Sequence, residues 1–124
     1  MSTTIANDTL YNAGHWLIAQ DRHEDAKHVF RTMLALAPSD ERAWLALGAC
    51  HEGTHELEKA ARLYALAPLA CGDSLRCLIA HARVLRRLER EDAAASAYAL
   101  AADLATQVDD SDLAALIAAE QGGE

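Results

Sequence analysis

Small and aromatic residues recur along this chain with a period of 34 positions. An alanine is followed four residues later by an aromatic residue in three places: Ala26–Phe30, Ala60–Tyr64 and Ala94–Tyr98. A small residue stands twelve positions before each of these alanines, at Gly14, Gly48 and Ala82. A fixed repeat of this length predicts stacked two-helix units instead of a single globular core.

Three repeats and a terminal helix account for the chain as a single domain, residues 1–124. Each repeat has a first helix, a short turn and a second helix, and we predict the repeats over residues 7–40, 41–74 and 75–108. The acidic cluster Asp109-Asp110-Ser111-Asp112 then suits a helix start, and we expect a capping helix at about 111–120 over the exposed side of repeat three. The predicted fold is all-α: a right-handed superhelical array of three helix-turn-helix repeats with a short C-terminal capping helix.

Proline, glycine and short polar residues predict where the helices end. Pro38 stops the second helix of repeat one, and Ser39 or Asp40 caps the helix that follows. In repeat two, the second helix is expected to loosen near Pro68, and 72–74 (Gly-Asp-Ser) supplies the turn and the next cap. Only two prolines and six glycines interrupt the chain, so nearly all of it can be helical.

Charge and composition narrow the classes of partner. The chain has 11 basic and 19 acidic residues, a formal charge of −8. A nucleic acid or an anionic membrane needs a basic face, so neither is expected as a partner. The start of the chain has no basic stretch or apolar core of a targeting signal, and the three cysteines do not have zinc-ribbon spacing. We expect a reduced, cytoplasmic protein.

The repeat pattern resembles the tetratricopeptide repeat over about residues 7–108. The positions that carry this resemblance are Leu10, Gly14, Ala26, Phe30 and Pro38 in repeat one, Trp44, Leu47, Gly48, Ala60 and Tyr64 in repeat two, and Ala82, Ala94 and Tyr98 in repeat three. The resemblance implies a binding protein that presents a concave surface to another polypeptide. His81 departs from the family pattern, since a leucine is usual there.

Two segments also resemble the type III secretion chaperones that have three tetratricopeptide repeats. These are 24–30 (EDAKHVF) and 45–50 (LALGAC). The resemblance implies a small, acidic, cytoplasmic chaperone for a translocator subunit. Chaperones of needle subunits also resemble short repeat arrays, so both kinds of client stay open, as does homodimerisation.

The inward side of the first helices predicts a binding groove. The first helix of each unit lines the inside of a right-handed stack, and we name the residues projected there the predicted groove: Tyr11, His15, Ile18, Arg42, Leu45, Ala49, Arg76, Ile79, Arg83 and Arg86. The apolar strip, Tyr11, Ile18, Leu45 and Ile79, thus lies beside a basic end formed by Arg76, Arg83 and Arg86. Its arginines either pair with Glu89 or Glu91 on a solvated face or anchor acidic residues of a client.

One familiar tetratricopeptide function does not fit this sequence. Co-chaperones of the family grip a C-terminal carboxylate with five lysine, asparagine and arginine positions. Here those positions read Tyr11, His15, Ala46, Arg76 and Ala80. Only Arg76 keeps that chemistry, so this function is not expected.

A five-residue segment matches the zinc metalloprotease pattern His-Glu-x-x-His. In that pattern two histidines on adjacent turns of one helix hold zinc, and the glutamate activates water. Here 51–55 (HEGTH) falls where repeat two turns between its helices, and no third ligand has suitable spacing. Cys50 is interpreted as a small core residue. We therefore expect no enzyme activity, no metal and no cofactor, and we keep a general scaffold or adaptor as the alternative to a secretion chaperone.

Overall fold

The computed structural model describes residues 3–122, and within them the chain forms seven α-helices and no β-strand. In chain order the helices are α1 (Thr3–Ala19), α2 (His23–Leu36), α3 (Glu41–Gly53), α4 (Leu57–Cys71), α5 (Leu75–Arg87), α6 (Glu91–Gln107) and α7 (Ser111–Gly122). Each helix packs against the next one along the chain. The predicted all-α fold class is confirmed.

Small residues let the two helices of a hairpin approach closely. An added Cβ at Gly14 would overlap the ring of Phe30, and one at Gly48 would overlap the ring of Tyr64. Both rings are buried, with exposed fractions of 0% and 2%. The glycines therefore create the space that the aromatic side chains fill, which is the packing role expected from the period.

The turns inside the three hairpins have one geometry. Their middle residues, Asp21, His55 and Glu89, have φ values of 60°, 65° and 61°. The next residue in each turn donates its backbone N–H five positions back, as Glu56 does to His51 O at 2.7 Å. This arrangement ends a helix with a left-handed residue and satisfies its last carbonyl groups. The turns are therefore structural repeats in their own right.

The turn between α6 and α7 has this same geometry. Asp109 has a φ of 57°, and Asp110 N donates to Ala105 O at 3.0 Å. The segments between hairpins differ, since the only positive φ there belongs to Gly72, at 71°. The terminal helix is therefore joined to α6 as the second helix of a hairpin is joined to the first.

The predicted helix ends are partly corrected. Asp40 does cap α3, because its side chain accepts from Arg42 N at 3.1 Å. Ser74 precedes α5, but its hydroxyl donates to Glu41 at 3.0 Å and does not cap the helix. The loosening expected at Pro68 is wrong: α4 continues to Cys71. The helix ends instead at Gly72, whose φ is 71°.

No helix in the described range 3–122 is both long and apolar enough to cross a membrane.

Candidate protein-binding groove

The first helices of the hairpins, α1, α3 and α5, lie side by side. Arg42 Nη2 of α3 lies 2.9 Å from Asp8 Oδ1 of α1, and Arg87 Nη1 of α5 lies 2.7 Å from Glu52 Oε1 of α3. These ion pairs tie each first helix to its neighbour. The structure therefore carries the ten residues of the predicted groove on three adjacent helices.

Rings and a fixed guanidinium form the end of the predicted groove at α1. The Tyr11 and His15 ring centroids are 4.4 Å apart, and both rings lie near Phe30. The Arg42 guanidinium lies 4.9 Å from the Tyr11 ring centroid and 2.8 Å from Asp40 Oδ2. Its hydrogen bonds hold the pKa of the Asp40 carboxyl below its usual value. Because Arg42 already has these partners, it fixes the shape of this end and covers part of the Tyr11 ring.

The part of the apolar strip that stays accessible lies on α1 and α3, and we call these residues, Tyr11, Ile18 and Leu45, the accessible strip. Tyr11, Ile18 and Leu45 are each half-buried, so part of each side chain remains accessible. The small side chain of Ala49 and the imidazole of His15 are exposed beside them. Half-buried apolar side chains of this kind are typical anchor sites for a partner's apolar residues.

Ile79 is a correction to the predicted groove. The sequence predicts its side chain on the apolar strip, but the residue is only 3% exposed. It belongs to a core cluster that includes Tyr98 and Ile117 of α7. Residues of α6 and of the terminal helix together enclose the cluster on this side of α5. Ile79 is therefore not part of the accessible strip in this structure.

The basic end of the predicted groove is held by a single residue of α7, Glu120. Arg83 Nε donates to Glu120 Oε1 at 3.0 Å, and Arg86 Nη2 donates to the Glu120 carbonyl oxygen at 2.9 Å. The Tyr98 hydroxyl donates to Glu120 Oε1 at 2.7 Å, and the Arg86 guanidinium lies 4.6 Å from the Tyr98 ring centroid. The hydrogen bond from Arg83 holds the pKa of Glu120 below its usual value. Arg76, at the start of α5, is exposed.

The ion pairs of the basic end differ from the pairing with Glu89 or Glu91 that the sequence suggests. Glu120 holds two of the arginines, and Glu52 holds Arg87. The partners come from other helices instead of the same turn. The free charge available to a client at this end is therefore smaller than the sequence suggests.

Two glutamates also belong to this surface: the sequence projects Glu52 to the same inward face as Leu45 and Ala49, whereas Glu120 was not predicted there. The Tyr64 hydroxyl donates to Glu52 Oε2 at 2.6 Å. Burial is the main cause that raises the pKa of Tyr64 well above its usual value, and this hydrogen bond is the second. Glu120 makes the equivalent contact with Tyr98. A usable signal was present for Glu120, because it follows Ile117 by three positions and thus shares its helix face.

The His-Glu-x-x-His segment does not form the arrangement of a zinc peptidase. Helix α3 ends at Gly53, and His55 has a φ of 65° in the turn, so the two histidines do not lie on one helix. His51 Nδ1 instead lies 2.8 Å from Glu56 Oε1. Across residues 3–122 there is no group of three or more side chains placed to hold a metal ion.

Sequence comparison establishes the class of protein. The family model of the tetratricopeptide repeat matches residues 17–84, which is more than half of the chain. The chain therefore belongs to the tetratricopeptide repeat family. No curated protein sequence is significantly similar to it.

Solved structures narrow the similarity further. SycD, a type III secretion translocator chaperone from Yersinia enterocolitica, matches with a TM-score of 0.84 and 22% identity over 95% of this chain and 89% of that chain. PcrH from Pseudomonas aeruginosa matches with a TM-score of 0.80 and 27% identity over 94% of this chain and 89% of that chain. PcrH in complex with the chaperone binding region of PopD matches with a TM-score of 0.80 and 26% identity, over 98% and 91% of the two chains.

Proposed function

We propose that this protein is a non-enzymatic, cytoplasmic chaperone of a type III secretion system. It holds a hydrophobic client subunit in the predicted groove before the client is exported. The observation that carries the proposal is the similarity to PcrH, which extends over nearly all of both chains and includes a structure with a client segment bound. A general adaptor needs only the repeat fold, whereas full-length similarity to one chaperone class favours the narrower role.

The accessible strip supports binding of an extended or helical client segment. Each apolar anchor that a client buries against Tyr11, Ile18 or Leu45 contributes about 1.5–3 kcal/mol before ordering costs. Two or three anchors contribute about 3–9 kcal/mol before these costs, compared with the roughly 8 kcal/mol net that a micromolar dissociation constant requires. Such an affinity shields a client and still permits its release at the export machinery.

Co-expression tests this proposal directly. The chain is produced together with a translocator subunit from the same organism, and in parallel with a needle subunit. We expect the translocator to move from the insoluble to the soluble fraction and to co-purify with the chain. A rescued needle subunit would reassign the client within the same system. If neither client becomes soluble while a stable cytosolic protein co-purifies, the adaptor function replaces the chaperone function.

A homodimer through the outer side of α1 is part of the proposal. Trp16 is 58% exposed, whereas the equivalent residues of the next repeats, Cys50 and Val84, are 2% and 0% exposed. Those two lie beneath the preceding hairpin, and no helix within residues 3–122 covers Trp16 in the same way. We expect Trp16→Glu to shift the sedimentation coefficient from dimer to monomer. A wild-type monomer at micromolar concentration would contradict this expectation.

A further inference from the structure

The terminal helix does not take the position of a next repeat. In the first two hairpins, Lys27 and Ala61 are 2% and 5% exposed, because the following hairpin packs on them. The equivalent residue of the third hairpin, Ala95, is exposed. It borders an open groove of about 820 Å³ beside Glu91 and Asp92. Gln121 of α7 also lines this groove, so α7 reaches only its edge and the end face of the array is left partly open.

Helix α7 instead reaches the basic end of the predicted groove. Its Glu120 contacts Arg83, Arg86 and Tyr98, and its Ile117 belongs to the same apolar cluster as Ile79. The two arginines occupy positions that the repeat pattern assigns to the inner surface. The α6–α7 turn, with the geometry of a turn inside a hairpin, directs the helix to this side. Part of the surface assigned to a client is therefore covered by the chain itself.

Helix α7 buries little side-chain surface for a helix of its length. Ile117 is its one buried residue in the described part of the chain, Leu113 is half-buried against the same apolar cluster, and Leu116 is 38% exposed. The remaining apolar residues of the helix are mostly alanine, which buries little surface. A segment with two apolar anchors, Ile117 and Leu113, and one anchoring carboxylate is expected to open at low cost compared with the hairpins.

The contacts of α7 define the chemistry of a competing ligand. Ile117 and Glu120 are three positions apart, so they project from the same face of the helix. The surface beneath them offers the apolar cluster that contains Ile79, two guanidinium groups and a phenol hydroxyl. A helix that presents an apolar side chain followed three positions later by a carboxylate fills the apolar site and pairs with Arg83 and Tyr98. Its backbone carbonyl oxygen at that position accepts from Arg86.

We propose that α7 is an internal ligand of the basic end of the predicted groove, and that a client helix with an apolar residue followed three positions later by Asp or Glu displaces it. The second half rests on the proposed chaperone function, whereas the first half concerns this chain alone. Displacement frees Ile79 and both arginines, which returns them to the surface where the sequence places them. The apparent affinity of a client is then reduced by the fraction of time that α7 is seated.

A peptide with the sequence of residues 109–122 tests the internal ligand without any client. Its binding is measured by fluorescence anisotropy against the full chain and against the full-chain variant Ile117→Ala/Glu120→Gln. We expect the variant to bind the peptide about tenfold more tightly or better, because its own α7 no longer competes. The variant Asp112→Asn, which removes a charge from an exposed position of α7, is the control and should bind as weakly as the wild type.

Each other result of this experiment has a defined meaning. Equal binding by the wild type and the double variant overturns the internal-ligand proposal. If the double variant loses its circular dichroism signal, the single variant Glu120→Gln takes its place, and unchanged peptide binding by this variant also overturns the proposal. A second peptide with Ala and Gln in place of the Ile and Glu should not bind. Tight peptide binding by the double variant, together with a failure to rescue any secretion client, supports the internal ligand and removes the chaperone function.

Discussion

The ring of Tyr64 lies directly over Gly48, close enough that a Cβ on the glycine would overlap it. The ring is 2% exposed, and its hydroxyl is held by Glu52 at 2.6 Å, so it has little freedom to move aside. We predict that Gly48→Ala lowers the free energy of unfolding by about 1–3 kcal/mol through overpacking. Urea unfolding followed by circular dichroism measures the change.

The matched control for this substitution is Gly53→Ala in the same helix. The nearest atom to its added Cβ is His23 Cε1 at 3.7 Å, an ordinary contact. Its unfolding free energy should stay within about 0.5 kcal/mol of the wild type or rise slightly, as for other exposed positions. Equal stability of the two variants would contradict the close-packing account.

The ion pair between a buried lysine and Glu56 makes the folding stability depend on pH in the acid range. Lys27 is 2% exposed, and its ammonium lies 2.8 Å from Glu56 Oε1. The pKa of Glu56 is far below the ordinary value of 4.5, and the largest cause is the hydrogen bond from Lys27. Smaller contributions come from hydrogen bonds with His51, Lys59 and Thr54. A carboxyl with a lowered folded-state pKa stabilises the fold above that ordinary value, and the stabilisation is lost as the pH falls further.

Two lysine variants separate this effect from other acid effects. Melting temperatures are compared at pH values above and below the ordinary pKa of a carboxyl, for Lys27→Met and for Lys59→Ala. Lys59 also contacts Glu56, but its side chain is 56% exposed, so its loss should matter little. We expect the smaller acid-induced decrease in Lys27→Met. The same pH dependence in both variants would show that the buried pair does not control it.

The raised pKa of Tyr98 makes us expect that the folded state loses stability at alkaline pH. Burial, followed by the hydrogen bond to Glu120, raises the pKa of its hydroxyl from 10.0 to about 12. The neutral form is thus favoured in the folded state, so the stabilisation is complete below pH 10 and is lost as the pH rises through 12. In a spectrophotometric titration, Glu120→Gln should lower the ionisation midpoint of this tyrosine. An unchanged midpoint would mean that α7 is not seated on Tyr98 in solution.

The three cysteines should differ sharply in reactivity. Cys50 and Cys77 are buried and Cys71 is half-exposed, and burial raises the pKa of the Cys77 thiol to about 11. The thiolate is the reactive form, so near neutral pH a disulfide reagent should modify one thiol quickly and the other two only after unfolding. Cys71→Ser should remove the fast phase. Rapid modification of all three thiols would contradict the packing of α3 and α5.

The hairpins and their packing could be predicted from sequence because the signal is local and repeated. Gly14 with Phe30 and Gly48 with Tyr64 meet within a single hairpin, so the spacing of 16 positions is enough to place them together. The cap at Asp40 follows from its own side chain and from Pro38. Such features depend on residues that lie near one another in the chain.

The basic end could not be predicted in the same way, because it depends on where α7 is placed. The repeat pattern of 34 residues implies a helix in the next-repeat position, whereas the turn at Asp109 repeats the hairpin geometry only 20 positions after Glu89. The sequence does contain a sign of this hairpin turn. A small residue stands seven positions before Asp109 and an alanine five positions after it, as Gly14 and Ala26 do around Asp21. The burial of Ile79 and the pairing of Arg83 follow from that turn.

The most direct test of the account measures how tightly the chain binds the client segment that co-expression identifies, with Leu45→Glu compared against Leu69→Glu. Leu45 is half-buried on the accessible strip, whereas Leu69 is 85% exposed on α4, outside the predicted groove. Both variants should keep the wild-type circular dichroism spectrum. We predict that Leu45→Glu weakens binding about tenfold or more, since one apolar anchor contributes about 1.5–3 kcal/mol, and that Leu69→Glu binds like the wild type. Unchanged binding by Leu45→Glu, or a loss confined to Leu69→Glu, would contradict the claim that the face of α1, α3 and α5 holds the client.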